Sequence, residues 1–509
     1  MKIGILLNSP LCSSYAKEFI DWCDAHEAMN TILYMQAQKP GIKNSLYIFC
    51  WKLIQIFENP ASLFSKKSTT NISNLTKNFE NIKYDDLDLL ITFDFKETIL
   101  PEASFSKNGL IFFHSDININ KRLGPLGFDE VLNHRQSTSF SILHFSGNES
   151  SYNIIFEGAF PTSKSFSRNI KGILERRNFY LKNVINRFID SAILNNDFQK
   201  IYNISADPFF PILKDQIRYI SHLFTIARSN LYLRYINPKQ SIFEVYYSRT
   251  NWQKLNQKKS IPITNPVNGY FADPFLIDQG PSTYCFMENF NFESMKGSIA
   301  VCELNEDTYT YLGDVLEEAF HLSFPYLFKY QSKIYMVPES CQNKDIRLYE
   351  CISFPNEWKL KKIIFQGVEA VDSMIFAYEG KWWLFTNMNP NKTSDRCSEL
   401  FIFYSDNPIE GDWKPHSENP VIVNSQKGRN GGLIQYKEDL FRVSQKQGYG
   451  EYGVGFEINK IIHLTENIYH ESLEKDGAES LFSDMIKSHH LHSNNKYTVF
   501  DRWDYKKIK

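Results

Sequence analysis

The sequence predicts a multidomain chain: an α/β Rossmann-like domain, a helical connector and an all-β five-bladed propeller. Three observations carry this. Continuous apolar runs of strand length recur near the start. Two long stretches, 170–194 and 213–236, carry apolar residues at helical spacing. From about 241 onward, short β-rich runs alternate with turn residues, and a motif recurs five times. The predicted boundaries are 1–160, 161–240 and 241–509.

Within the first domain, the runs from Ile3 to Leu7, Leu87 to Phe93 and Gly109 to His114 are almost wholly apolar. Strands of this kind suit a parallel sheet covered on both faces. In the connector, Arg and Lys occupy the faces left by the apolar residues, as expected of amphipathic helices.

The repeat sets the architecture of the rest. Each copy is a short motif followed by a strand-like run: Asp273 then Tyr284 to Glu288, Phe324 then Ile334 to Glu339, Asp372 then Trp382 to Phe385, Asn430 then Asp439 to Val443, and His490 then Tyr497 to Asp501. Taking Asp273, Phe324, Asp372, Asn430 and His490 as equivalent, the intervals are 51, 48, 58 and 60 residues. Periods of this order, with several short strands each, mark propeller blades. The innermost strand of every blade points one end at the same channel mouth, so residues distant in sequence meet there.

Bulk composition narrows the function classes. The chain has 509 residues, 42% hydrophobic and 22% charged, with a formal net charge of −2. It shows no basic stripe, which argues against a nucleic-acid partner. The 8 Cys include no Cys-x-x-Cys pair, so no metal site is predicted. The opening run meets Asn8 too early for a signal core, and the apolar run from Leu46 to Phe57 contains Lys52 and Gln55. No transmembrane segment and a cytoplasmic, reduced setting are therefore expected. There is neither a Gly-x-Gly-x-x-Gly fingerprint nor a phosphate-cradling loop with a following Lys, and no cofactor is predicted.

Glycosidic chemistry needs a carboxylic acid to protonate the leaving oxygen and a carboxylate opposite it. A third acid can tune the donor by like-charge repulsion. Asp273, Glu339 and Asp372 come from successive blades and fill these roles as base or nucleophile, acid, and tuner. Glu288 is an equal alternative for the acid. Arg429, His489 and His490 are candidates to bind hydroxyl, carboxylate or phosphate groups, or to form a polar interface between the last and first blades. Trp382 and Trp383 read as blade core before sugar platform.

The runs Ala272 to Leu276, Met336 to Ser340, Trp382 to Phe385 and Gly428 to Gly432 resemble the N-terminal region of the glucosamine inositolphosphorylceramide transferases. That region in turn resembles the five-bladed glycoside hydrolase family 43 superfamily. The resemblance implies sugar processing at a central acidic site, with a carbohydrate or glycolipid substrate. The order Asp, Glu, Asp along this chain differs from the usual hydrolase order, in which the proton-donating Glu comes last.

The run Gly109 to Asp116, with Arg122 to Phe128, resembles the formyltransferase N-terminal fold. Such enzymes use an Asn, a His and a later Asp. His114 matches the His, with Asp116 nearby, but Phe112 stands in the place of the Asn and no Asp is evident in 147–151. Phe has no donor for an oxyanion, so the site is degenerate and a folate-type formyl donor is not expected. The leading expectation is a carbohydrate-active enzyme of bacterial surface-glycan biosynthesis or modification, acting by glycosyl transfer or glycosidic-bond chemistry. Its rivals are an amino-sugar N-formyltransferase with a substrate-binding propeller and a non-catalytic glycan-binding scaffold.

Overall fold

The computed structural model describes residues 1–7, 11–35, 54, 58, 69–71, 75–78, 82, 85–93, 104–114, 122–123, 126–146, 152–189, 200–201, 208–209, 213–236, 239–390, 393, 395–477 and 487–507. The chain forms two compact units, Met1–Leu231 and Tyr232–Lys509.

The first unit is built on a mixed sheet. Lys2–Leu7, Leu89–Thr92 and Leu110–His114 lie side by side in parallel, and Ser137–Phe145 joins them antiparallel. These central strands are almost fully buried, which is why their sequences are unbroken apolar runs. Ser13 caps the helix Ser14–Ala25 by accepting from the Ala16 N–H. The helix Phe166–Ile189 packs on this helix and on the strands Ser137–Phe145 and Tyr152–Pro161. Much of the predicted connector is thus integral to the first unit rather than a separate body, because Ile173, Leu181 and Ile185 are fully buried.

Phe112 is fully buried, edge-on to Tyr152 in an apolar cluster with Leu90 and Leu143. Its role is core packing. His114 ends its strand, half-buried and paired in register with Ser141. Asp116 and 147–151 lie outside the described residues.

The second unit is a five-bladed propeller. Four blades follow one another, with innermost strands Gly269–Gln279, Ser323–Tyr330, Ala370–Tyr378 and Asn430–Tyr436, here blades 1 to 4; blades 1, 2 and 4 are four-stranded meanders, and blade 3 adds a fifth short strand, Ile422–Val423, on its third strand. Blade 5 is composite: Lys239–Ser248 pairs along its whole length with Thr498–Lys507, and Leu491–Ser493 lies innermost. Joining the two ends of the unit in one sheet closes the ring and removes the exposed edges of an open stack. Each inner strand contacts the next, and that of blade 5 contacts that of blade 1. Between blades the core is apolar. Phe328, Met374, Trp383 and Leu433 share one cluster, and Trp383 is 2% exposed, a blade-core residue as its sequence context suggests.

Candidate active site

The inner strands of blades 1 to 4 each carry one irregularity, and it places the site. The pairing register jumps between Ala272 and Phe275, Ser323 and Tyr326, Val371 and Met374, and Asn430 and Gly432. These are β-bulges, which leave a residue out of the ladder and re-aim its side chain. The bulged residues Asp273, Phe324 and Asp372 have φ of 50°, 46° and 49°. Asp tolerates this left-handed conformation well, whereas Phe rarely adopts it. Phe324 is held there by full burial and by edge contacts with Phe275 at 4.8 Å and His490 at 5.4 Å. Just before each bulge, the paired strand presents a second polar group: Ala272 opposes Glu288, Ser323 opposes Glu339 and Val371 opposes Asn387.

Two polar clusters result. In the first, Asp372 is 2% exposed and receives Arg429 through Nε at 2.6 Å and Nη2 at 3.3 Å, with Gln445 Nε2 at 3.1 Å. Arg429 also lies 3.8 Å from Glu339 and 3.7 Å from Cys397 Sγ, and its guanidinium sits 4.9 Å from the Tyr452 ring. Asn387 clamps blade 3 to blade 4: it donates to the Glu399 and Gly428 carbonyls and accepts from the Asn430 N–H at 2.8 Å.

In the second cluster, His489 lies between two carboxylates, with Nδ1 2.8 Å from Asp501 and Nε2 3.4 Å from Asp273. Asp501 also accepts from the backbone N–H groups of His489 at 3.1 Å, His490 at 3.2 Å and Asp273 at 3.4 Å. The His490 Nε2–H donates to the Pro274 carbonyl at 2.9 Å. Beside this cluster, His321 accepts the Gly297 N–H on Nδ1 at 2.9 Å, which leaves the proton on Nε2, 3.5 Å from Glu288.

Burial dominates the electrostatics. It lifts the Asp273 carboxyl to about 7, where the charges of His489 and Arg429 pull it down and those of Asp372 and Asp501 push it up. Burial also holds Glu288 and Glu339 well above the carboxylate range, reinforced by Asp273 at Glu288 and by Asp372 at Glu339. Burial opposes charge on His489, but Asp501 and Asp273 outweigh it and raise the imidazole. His490 is pushed down to about 3 by burial and stays neutral. The site thus holds two neutral carboxylic acids, a carboxyl poised near neutrality and two bound cations. A proton donor and an acceptor are available together, as acid–base chemistry requires.

Asp273, His489 and Asp501 bring three ligand-capable atoms within 4.8 Å. Both Asp501 oxygens are already engaged by backbone N–H groups and His489, and His489 supplies the positive charge. The trio is an ion-pair network.

All seven propeller residues singled out in the sequence meet here: Asp273, Glu288, Glu339, Asp372, Arg429, His489 and His490. His114 belongs to the other unit. Sequence reasoning missed Asp501, Gln445, Asn387, His321 and Tyr452. Three of these had a signal. Glu288, Glu339, Asn387 and Gln445 each stand fifteen residues after Asp273, Phe324, Asp372 and Asn430, and Asp501 ends the fifth strand-like run.

Residues 256–493 match the family described as glucosamine inositolphosphorylceramide transferase 1, N-terminal. The chain is 36% identical over 227 residues to Glucosamine inositolphosphorylceramide transferase 1 of Oryza sativa subsp. japonica, covering 41% of this chain and 30% of that protein. It is 34% identical over 266 residues to the protein of the same name from Arabidopsis thaliana, covering 48% and 34%. The match spans about a third of the length of these relatives. Among solved structures, GH43B of the Bacteroides ovatus xyloglucan locus is 14% identical with a TM-score of 0.34, covering 47% of this chain and 52% of that one. The catalytic domain of the Coprinopsis cinerea GH62 alpha-L-arabinofuranosidase is 9% identical with a TM-score of 0.34, covering 51% and 97%. The family match lies wholly in the propeller unit, so the formyltransferase resemblance of the first unit gains no support from it.

Proposed function

We propose that the propeller is a carbohydrate-active centre that makes or breaks a glycosidic bond. The observation that carries this reading is the buried ring of carboxyl groups, in which Asp273 is poised near 7 beside the neutral acids Glu288 and Glu339. Asp273 acts as base or nucleophile, and a Glu donates the proton to the leaving oxygen. Burial, and after it Asp372 paired with Arg429, raises the proton affinity of Glu339. Glu339 is the donor of the sequence reading. Glu288 is the second candidate, with His321 Nε2 3.5 Å from one of its oxygens.

The plant relatives are named for glucosamine and inositolphosphorylceramide, and the proposed substrate class follows: a sugar donor and a glycolipid or glycan acceptor. Surface-glycan assembly in the cytoplasm is the setting proposed from the composition. The first unit is proposed as a scaffold, since Phe112 is spent on the core.

The test incubates the full chain with activated sugars and glycolipid or glycan acceptors and reads product by mass spectrometry. Asp273→Asn and the Glu→Gln variant at the true donor should each lose at least about 100-fold in rate. Gln at the other Glu should cost far less. Equal product from the parent, Asp273→Asn, Glu288→Gln and Glu339→Gln would refute the assignment. Ligand binding without turnover would favour a glycan-binding scaffold.

A further inference from the structure

His489 is held more firmly than a substrate-binding side chain needs to be. Phe243 lies 4.9 Å from its ring and Tyr452 stands edge-on at 5.4 Å, so the imidazole is wedged between aromatic faces. Gly453, with φ of 57°, makes room for it: a Cβ there would come 2.8 Å from the His489 Cβ. Asp501 holds the ring through an ion-pair contact at Nδ1, 2.8 Å away, while accepting the N–H groups of both His489 and His490. The ring nitrogen left over, Nε2, faces Asp273 at 3.4 Å. His489 is 4% exposed, so little of it is open to a ligand.

We infer that His489 and Asp501 form a positioning dyad for Asp273, in which Asp501 orients the imidazole and His489 bridges the two carboxylates as a cation. This rests on the reading of Asp273 as the reacting carboxylate, and it reassigns His489 from substrate contact to the support of that group. The dyad does for a carboxylate what a buried Asp does for the His of a catalytic triad: Asp501 fixes the orientation of the ring, and the Nε2–H of the imidazolium then faces one oxygen of Asp273. Asp501 is well suited to this, since its backbone bonds tie its own position to the strand that closes the ring.

Other charged and titratable groups face the pair. Asp372 and Arg429 act on Asp273 from blades 3 and 4, and Glu288 stands opposite on its own hairpin. Tyr270 and Tyr452 flank the acids, and neutral His490 lies 3.9 Å from Asp273 on its buried side. Of the acids, Asp501 and Asp273 lie in ion-pair contact with the His489 ring. Burial works against the charge on His489, and Asp501 and then Asp273 are its strongest carboxylate partners, with Asp372 acting in the same sense.

The experiment titrates the full chain labelled with 15N-histidine and follows the ring nitrogens by long-range 1H–15N NMR, with the His489 signals assigned by their loss in His489→Gln. In the parent, both ring nitrogens should be protonated at pH 7, and the midpoint should lie above the ordinary histidine value of about 6.5. Asp273→Asn should lower the midpoint by about one pH unit or more and leave the fold intact. Asp501→Asn should lower it further, and a melting curve separates this from unfolding. An ordinary midpoint in the parent, or one unmoved by Asp273→Asn, would overturn the dyad. Because this readout needs no substrate, it can fail while the product assay succeeds, or succeed while the product assay fails.

Discussion

Replacing Asp273 by Asn should make the protein more stable, and increasingly so as the pH rises. The folded state holds the Asp273 carboxyl at about 7 against an ordinary 3.8, chiefly by burial. A carboxyl whose folded value is raised contributes stability that is complete below 3.8 and is lost as the pH climbs through 7. Relative to a group that never ionises, the loss is about 2 kcal/mol at pH 5 and about 4 kcal/mol at pH 8. Asn removes the ionisation and tolerates the left-handed φ of 50° at this bulge. Any constant difference between Asn and a neutral Asp cancels when the two pH values are compared. The stability gap between variant and parent should therefore widen by about 2–3 kcal/mol from pH 5 to pH 8, or about 5 °C or more in Tm for a domain of this size. Tryptophan fluorescence reads the right unit, since Trp252, Trp358, Trp382, Trp383, Trp413 and Trp503 all lie in the propeller. A gap that stays constant or narrows between the two pH values would refute the claim that Asp273 is a strained, buried acid. The stabilised variant should also be the one that loses product, because the same burial that costs stability poises the group.

Two further outcomes follow from the same geometry. Arg429→Met leaves Asp372 buried without its cation, held by Gln445 and the carboxyl of Glu339, and should cost about 3–5 kcal/mol in a denaturant melt, with part of the loss recovered by adding Asp372→Asn. In Gly297→Ala, the new Cβ would meet Glu288 Oε1 and His321 Cε1, both at 2.9 Å, and the Leu322 carbonyl. It should cost about 1–3 kcal/mol by thermal melt and displace the His321–Glu288 contact.

Much of the architecture was legible because it depends on periodic, local signals. The five motifs fall on five blades, and the runs ending at Leu7, Phe93 and His114 are buried strands of the first sheet. Partners across blades were not legible. Nothing near Asp372 in sequence announces Arg429, which follows by 57 residues and arrives from the next blade. The constant fifteen-residue offset is the signal that was available. It runs from the bulge to the paired strand, spanning one hairpin of fixed length, and it would have added Asn387 and Gln445 to Glu288 and Glu339. It fails at Asp501 for a structural reason: in the composite blade the inner strand is only Leu491–Ser493, so its hairpin is shorter.

Phe324 shows what the repeat does and does not encode. It occupies the bulge position with the same left-handed φ as Asp273 and Asp372, yet carries no polar group. The bulge is therefore a property of the blade, present whether or not chemistry uses it. Asn387 makes the same point on the neighbouring strand, where it stands in the place of Glu288 and Glu339 and ties two blades together. The repeat supplies a ring of inward-aimed positions, and function lies in which of them carry acids. An apolar side chain at one position and an amide at another leave the carboxyl groups on blades 1, 2, 3 and 5, with Arg429 of blade 4 and His489 of blade 5 as their counter-charges. That uneven occupancy gives the acids different partners, and hence different proton affinities, in a scaffold whose backbone treats most of the blades alike.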